Sequence, residues 1–387
     1  MPRSKTFTPS RLAGGLAPFY VMETLEAAKR MEREGADVIH LEVGEPDLPT
    51  DPEICSAAAD ALERGETFYS PSLGIDPLRE GIAGAYNKKY GLKVEADGVL
   101  VTSGSSPALL LAMMCVINPG DEVVTTSPYY ACYPGIIKAA GGVPVTFPVY
   151  AEENYQIDTA RLRKVLSPKT KAIVLNSPAN PTGAVLDDDV LKSVCSLGVF
   201  VISDEIYHGL EYGAQSKSVL NHTDGAVAVN GFSKLCAMTG WRLGYMIAPP
   251  ELVRPAQKLQ QNLFISPNTF VQHGGVAAIE HVFPRCGEIA AIYSSRRAAM
   301  IKALDKAGLS VCGDPAGAFY LFVKMPGKNI DSRALAFDIL EKTAVAVTPG
   351  IDFGPLGEGH LRFSYAASVE KIEEGVGRIG EYLRGRG

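Results

Sequence analysis

Short runs rich in valine and isoleucine recur through the middle of the chain, and helical stretches separate them. The runs are "GVLVTSG", "DEVVTTSP", "GVPVTFPV", "KAIVLNSP", "VFVISDE" and "AVAVNGF", all between residues 98 and 232. Short continuous apolar runs are typical of strands that are buried on both faces of a parallel sheet. The alternation of such strands with helices predicts an α/β fold, in which a mostly parallel central sheet is flanked by helices.

The two ends of the chain show a different pattern. The stretch "FYVMETLEAAKRMEREGAD" has the apolar spacing of an amphipathic helix that ends at Gly35, and "VIHLEVG" predicts a short strand. After about residue 285, a helical stretch, the strand patterns "GAFYLFVKM" and "HLRFSYAAS" and a terminal helix predict a smaller α+β domain. We therefore predict an arm over residues 1–20, a small domain of residues 21–50 with 285–387, and a large domain of residues 51–284.

Composition and charge narrow the class of protein. Of the 387 residues, 46% are hydrophobic and 21% are charged, as in an ordinary globular enzyme, and the net charge is −6. A net negative charge disfavours binding to nucleic acid, which usually requires a basic patch. The longest apolar run, "PALLLAMMCVI", is too short to span a membrane, and the N-terminus lacks the apolar region of a secretory signal. We expect a cytoplasmic protein without nucleic-acid or membrane partners.

The cysteines and histidines give no sign of a disulfide framework or a metal site. Seven cysteines are scattered along the chain without a CxxC spacing, and the six histidines show no HExxH pattern. The surroundings of most cysteines are apolar, which is typical of buried thiols in a reducing compartment. We expect no metal.

Polar clusters follow several of the predicted strands, and this is where a site is expected. The clusters are "SGSS", "SPYY", "SPANPTG", "SDEIY" and "GFSK". In open α/β sheets, ligands bind outside the carboxyl ends of the strands. Gly104, Ser105 and Ser106 precede Pro107 at the start of a helix, where free backbone N–H groups and hydroxyls suit a phosphate.

Each cluster also has an ordinary structural explanation when it is considered alone. Asp204 could cap a helix, "SPANPTG" could form a turn, and Lys234 could lie on the surface. Together, however, an anion site, a carboxylate, two hydrogen-bond donors and a lysine are the parts that hold pyridoxal 5′-phosphate. The lysine would form a Schiff base with the cofactor's aldehyde, and the carboxylate would pair with its pyridinium nitrogen.

At these positions the sequence resembles the class I pyridoxal-phosphate aminotransferases, the fold-type I group that includes the aspartate aminotransferases. The most specific part is "GFSKLCAMTGWRLG", and "FYSPSLGIDPLREGI", "NPTG" and "SDEIY" match in the family's order. The resemblance extends from "LEVGEPDLPT" to "HLRFSYAAS". It implies a fold-type I transferase, the cofactor pyridoxal 5′-phosphate, amino-acid and 2-oxo-acid substrates, and a homodimer with active sites shared between subunits.

The resemblance also implies roles for individual residues. Lys234 resembles the lysine that carries the cofactor and moves the substrate proton, and a nearby cation is expected to lower its pKa. Asp204 resembles the partner of the pyridinium nitrogen, and Tyr207 and Asn180 resemble the donors to the cofactor's phenolic oxygen. The remaining cofactor-binding matches are Gly104, Ser105, Ser106, Ser233 and Arg242 around the phosphate, Tyr130 on the ring, and Tyr69, which in the family reaches the partner subunit's phosphate.

Three matches concern the substrate. Arg362 resembles the arginine that binds the substrate α-carboxylate in a bidentate pair. Asn180 also matches a substrate-binding residue of the family, and Gly44 occupies a position where the backbone approaches that carboxylate. We identify no residue for a distal carboxylate, and Tyr130 and Gly231 stand where many relatives have a tryptophan and a serine. The resemblance therefore implies aspartate-type or broad specificity.

Three functions fit these residues. Transamination by a ping-pong route is the leading hypothesis. A carbon–sulfur β-lyase would use the same cofactor chemistry with a different leaving group. A non-catalytic, cofactor-binding regulatory module is a remote alternative, because only about 20 residues precede the first predicted helix and the net charge is negative.

Overall fold

The computed structural model describes residues 8–213 and 215–385, so residues 1–7 of the predicted arm lie outside the described part. Apolar periodicity and turn residues give thirteen α-helices and thirteen strands within those ranges. The helices are α1 (Arg11–Gly15), α2 (Tyr20–Arg33), α3 (Pro52–Glu63), α4 (Asp76–Tyr90), α5 (Ser105–Val116), α6 (Tyr133–Ala139), α7 (Thr159–Val165), α8 (Asp188–Cys195), α9 (Pro250–Leu263), α10 (Thr269–His281), α11 (Cys286–Lys306), α12 (Ser332–Thr343) and α13 (Val369–Gly385). The strands are β1 (Ile39–His40), β2 (Val99–Thr102), β3 (Glu122–Ser127), β4 (Val143–Pro148), β5 (Thr170–Asn176), β6 (Phe200–Asp204), β7 (Ala226–Gly231), β8 (Gly244–Ile247), β9 (Ser310–Val311), β10 (Tyr320–Lys324), β11 (Val345–Ala346), β12 (Thr348–Pro349) and β13 (His360–Ser364).

A seven-stranded sheet forms the centre of the molecule, in the order β2-β8-β7-β6-β5-β3-β4. Strands β3 to β7 pair in parallel, whereas β8 is antiparallel to both β2 and β7. Strands β2, β7 and β8 are buried along their whole length, as continuous apolar runs predict. The α/β prediction with a mostly parallel sheet is confirmed, but β8 was not predicted.

The C-terminal part contains a second, antiparallel sheet of four strands in the order β12-β13-β10-β9. Helices α11 and α13 pack against each other, and β1 pairs in parallel with β11, which joins the predicted first strand to this part. The sheet and its helices form the smaller α+β unit that the pattern predicts. The boundaries at residues 50 and 285 stay predictions.

The parallel strands place their polar ends at one edge of the central sheet. Strand β6 ends at Asp204, its neighbour β7 ends at Gly231 shortly before Lys234, and β5 on the other side ends at Asn176. At the far strand β2, Gly104 adopts φ +102° and leads directly into α5. Glycine is the residue that enters this conformation without strain, so the chain can reverse tightly into the helix.

No helix within residues 8–213 and 215–385 is long and apolar enough to cross a membrane.

Candidate active site

A cavity of about 230 Å³ opens at the carboxyl ends of β5, β6 and β7. It is closed on the opposite side by β10, β13 and the start of α2. The cavity brings together most of the residues that the sequence predicts for a site: Gly44, Ser105, Ser106, Tyr130, Asn180, Asp204, Tyr207, Ser233, Lys234, Arg242 and Arg362.

Two predicted residues do not line this cavity. Gly104 lies directly behind the Arg242 guanidinium, because a Cβ added to Gly104 would overlap Arg242 Nη2. Tyr69 lies outside the cavity, and its side chain is 81% exposed. The roles of all these residues remain predictions, but all except Tyr69 lie in or beside one site.

Lys234 is half-buried, and its Nζ donates a hydrogen bond of 2.6 Å to the backbone carbonyl of Gly44. Burial is the largest cause that lowers the pKa of Lys234 to about 8, followed by the positive charge of Arg362. Glu45 opposes this effect, and Arg242 contributes less than Arg362. A nearby cation therefore lowers the pKa of Lys234, as expected, but this cation is mainly Arg362. Its effect on the pKa is smaller than that of burial away from water.

Asp204 is a buried carboxylate, only 4% exposed. Tyr133 Oη donates to its Oδ2 at 2.7 Å, and the backbone N–H of Ile206 donates to Oδ1 at 3.3 Å. Burial raises the pKa of Asp204 to about 6, and these hydrogen bonds partly offset it. Within the described part of the chain, no cation lies within ion-pair distance of Asp204, so a protonated ring nitrogen would be a favourable partner.

Arg362 is buried, and its hydrogen-bond partners are neutral groups, whereas its Nε has no partner among the described residues. Its Nη1 donates to Asn180 Oδ1 at 2.9 Å, and its Nη2 donates to Thr348 Oγ1 at 3.0 Å and to the Glu42 carbonyl. The guanidinium stacks over the Tyr320 ring with 4.3 Å to the centroid. No carboxylate of the described residues forms an ion pair with it, so the charge is available to an anionic ligand.

The tyrosine pair beside Arg362 explains the need for glycine at position 44. Tyr207 Oη and Tyr320 Oη are 2.8 Å apart, and burial raises the pKa of Tyr207 well above its usual value. A Cβ at Gly44 would overlap the Tyr320 hydroxyl. The close approach that requires glycine is therefore to the Tyr320 ring.

The start of α5 and Arg242 together form an anion site. The two serines there face the cavity, and Arg242 Nη1 donates to the Thr239 carbonyl at 3.0 Å, which leaves its other donors free for a ligand. Arg242 forms no ion pair with any residue that the structure describes. A helix N-terminus, two hydroxyls and a guanidinium are donors that suit a phosphate, so the residues present fit pyridoxal 5′-phosphate.

The sequence did not identify Tyr133 or Tyr320. Both contact predicted site residues across long sequence separations, and both lie in apolar runs that look like ordinary core. The only signal in the sequence was their hydroxyl group, since a buried tyrosine usually needs a hydrogen-bond partner.

Glu205 follows Asp204 directly but faces the opposite side of the strand. It is fully buried outside the cavity, where it accepts hydrogen bonds from Tyr86 Oη at 3.0 Å and from Ser218 Oγ and the Val219 N–H at 2.9 Å. Burial raises the pKa of Glu205 to about 7. The carboxyl groups of Asp204 and Glu205 are therefore adjacent in sequence but lie in different environments, and only Asp204 lines the cavity.

Comparison with known proteins is consistent with this geometry. The family model for aminotransferase class I and II matches residues 36–379. A (5-formylfuran-3-yl)methyl phosphate transaminase of Methanocaldococcus jannaschii is 40% identical over 94% of this chain and 96% of its own, and a valine–pyruvate aminotransferase of Mycobacterium tuberculosis is 37% identical over 96% and 98%. The structure of Thermus thermophilus aspartate aminotransferase with maleate superposes with a TM-score of 0.92, at 34% identity over 97% of this chain and all of that one.

Proposed function

The chain belongs to the class I and II aminotransferases, and we propose that the cavity at the carboxyl edge of the central sheet is its active site. The predicted family, fold type, cofactor and reaction are thereby confirmed: it is a pyridoxal-phosphate-dependent aminotransferase that uses an amino acid and a 2-oxo acid. The relatives support transamination over the carbon–sulfur β-lyase alternative.

The observation that carries the proposal is one cavity with three cations and a buried carboxylate, none of them neutralised by an opposite charge among the described residues. Pyridoxal phosphate supplies an aldehyde that condenses with amines and a ring that withdraws electrons from the amino acid's Cα. Arg242, Ser105 and Ser106 would bind the phosphate, and Asp204 would accept a hydrogen bond from the ring nitrogen.

Lys234 and Arg362 would handle the substrate. A pKa of about 8 leaves part of the Lys234 amine neutral near pH 7, so Nζ would be able to take the proton from Cα and deliver it to the cofactor's C4′. Arg362 would bind the α-carboxylate, and its stacking on Tyr320 fixes the orientation of the fork. Tyr207 and Asn180 would donate hydrogen bonds to the cofactor's phenolic oxygen.

An exposed apolar patch supports a homodimer. Phe68 and Tyr69 are 83% and 81% exposed, and Leu263, Phe264 and Ile265 are also exposed large apolar residues. Thr269 Oγ1, at the start of α10 and shortly after Ile265, donates to the Phe68 carbonyl at 2.6 Å, which links the Phe68 segment to this part of the chain. Apolar side chains at this exposure are typical of an interaction surface, and here the proposed occupant is a second copy, whose phosphate site Tyr69 would reach.

We further propose that the enzyme is cytoplasmic, since its seven cysteines are free thiols.

The test is the visible spectrum of the purified protein during single additions of amino acids. We expect a cofactor absorption band that bleaches with an amino donor and returns with a 2-oxo acid. Lys234→Ala should lose turnover by several orders of magnitude, whereas Lys192→Ala, at an exposed position on α8, should match the wild type. Absence of the band after addition of the cofactor, or normal turnover in Lys234→Ala, would contradict the proposal.

A further inference from the structure

Four apolar side chains form one wall of the active-site cavity. They are Phe19, Val21 and Met22, around the start of α2, and Val43, shortly after β1. Val21 is 5% exposed and Met22 is 45% exposed, so the wall extends from the interior to the mouth. These four residues are called the apolar wall below.

The apolar wall is held in place by a distant carboxylate. Helix α2 has no side-chain cap of its own, and the backbone N–H groups of Tyr20 and Val21 donate to Asp352 Oδ1 and Oδ2 at 2.9 and 2.8 Å. The Arg333 guanidinium also stacks on the Tyr20 ring at 4.7 Å. Because Asp352 satisfies both free donors of the first turn, the wall has a defined position.

The charges of the cavity leave no partner for a second substrate carboxylate. Its lining cations are Lys234, Arg242 and Arg362, and the proposed function uses them for the cofactor aldehyde, the phosphate and the α-carboxylate. Among the described residues that line the cavity there is no fourth cation. Glu45, which accepts a hydrogen bond from the lining residue Thr239, adds a negative charge nearby.

We infer that the preferred amino donors carry a neutral, apolar side chain, aliphatic or aromatic, rather than a second carboxylate. An apolar side chain gains by losing contact with water against the apolar wall, whereas an unpaired carboxylate would be desolvated there without compensation. This inference rests on the proposed function, because Arg362 must take the α-carboxylate for the side chain to face the wall. It departs from aspartate-type specificity, which is one of the two alternatives, aspartate-type or broad, that the resemblance implies.

The direct test uses the half-reaction of the holoenzyme with single amino acids. The second-order rate constant for bleaching of the cofactor band is expected to be at least about tenfold higher with leucine, methionine or phenylalanine than with aspartate or glutamate. Equal or faster bleaching by the dicarboxylic amino acids would overturn the inference and leave transamination standing. Failure of every amino acid to bleach the band would instead contradict the proposed function.

Substitution of Met22, at the mouth of the cavity, tests whether the apolar wall determines the selectivity between amino donors. Met22→Arg places a cation in the apolar wall and is expected to shift the aspartate-to-leucine ratio of rate constants at least about tenfold toward aspartate. Met22→Gln, similar in length but uncharged, is the matched control: it removes apolar surface without adding a charge and should shift the ratio less than Met22→Arg does. An unchanged ratio in Met22→Arg would show that the side chain does not lie against this wall.

Binding of unreactive acids gives a readout that does not depend on turnover. Titration of the holoenzyme spectrum with 4-methylpentanoate and with succinate measures one dissociation constant for an apolar and one for a dicarboxylic analogue. The wild type should bind 4-methylpentanoate at least about tenfold more tightly, and Met22→Arg should reduce that preference. Tighter binding of succinate by the wild type would overturn the inference.

Discussion

Lys234 shows how a single side chain acquires its chemistry from its surroundings. It donates to a neutral carbonyl, that of Gly44, and forms no ion pair with a carboxylate of the described residues, while Arg362 repels its positive charge. Burial and repulsion act in the same direction, and both lower its pKa. The same effects destabilise the folded protein while the lysine is charged, because the folded protein holds the lysine proton less tightly than the unfolded chain does.

That destabilisation predicts a pH dependence of stability in the cofactor-free protein. The pKa of Lys234 falls from 10.5 to about 8 on folding, so the unfolded chain binds more protons between these values and the native state gains stability as pH rises. Below pH 8 the full penalty applies. Lys234→Met removes it, so the free energy of unfolding of the variant should exceed that of the wild type by a margin that shrinks by about 3 kcal/mol from pH 7.5 to 10.5.

Urea unfolding followed by circular dichroism at several pH values measures this margin. The control is Lys192→Met, at an exposed position, for which the difference from the wild type should not vary with pH. A constant margin for Lys234→Met across the range would show that folding does not perturb the lysine.

Sequence reasoning at this scale found the residues that carry charge or sit in motifs. Lys234 stands out as a cation in a small, apolar segment after a strand, and Asp204 stands out because it ends a predicted strand, whereas Arg362 was identified through the family resemblance of "HLRFSYAAS". Tyr133 and Tyr320 could not be found, since their partners are 71 and 113 residues away and only the folded chain brings them together.

At the scale of elements, the order of three neighbouring parallel strands assembles the site. Because β5, β6 and β7 run in the same direction, their carboxyl ends deliver Asn176, Asp204 and the Lys234 segment to one edge. The valine- and isoleucine-rich runs predicted these strands correctly. Strand β8 was not predicted, because its four residues directly follow the lysine segment and no turn signal separates them from it.

The turn between β2 and α5 gives a prediction at this scale. Gly104→Ala would force a side chain into φ +102° and against the Arg242 guanidinium, so the phosphate site should lose its shape. We expect cofactor affinity to fall at least about tenfold, measured by titration of the apoenzyme. Gly120→Ala is the matched control, because Gly120 has φ +89° but open space around it. Equal affinity losses in both variants would exclude a specific effect on the phosphate site.

At the scale of the whole molecule, Tyr69 is itself part of the exposed apolar patch. A residue that is 81% exposed and outside its own cavity can serve a phosphate site only if a second subunit covers it. The proposed dimer therefore accounts for both the patch and the position of Tyr69.

Mixing two inactive variants tests this arrangement. If Tyr69 acts in the partner's site, a dimer of one Lys234→Ala and one Tyr69→Ala subunit contains one site with both residues intact. Random reassociation should then restore about one quarter of wild-type activity, because half of the dimers are mixed and each has one intact site. If Tyr69 served its own subunit, mixing would restore nothing, and a mixture of each variant with itself is the control.

The opposite orientations of Asp204 and Glu205 limit how proteins of this kind can diverge. Side chains alternate along a strand, so a one-residue deletion within β6 would turn Glu205 toward the cofactor cavity and move Asp204 to the side of Tyr86. Substitutions along β6 and insertions in the loops leave this alternation intact, whereas a change in the length of the strand exchanges the two carboxylates. Among descendants of such a sequence, the number of residues in β6 should therefore persist longer than their identities.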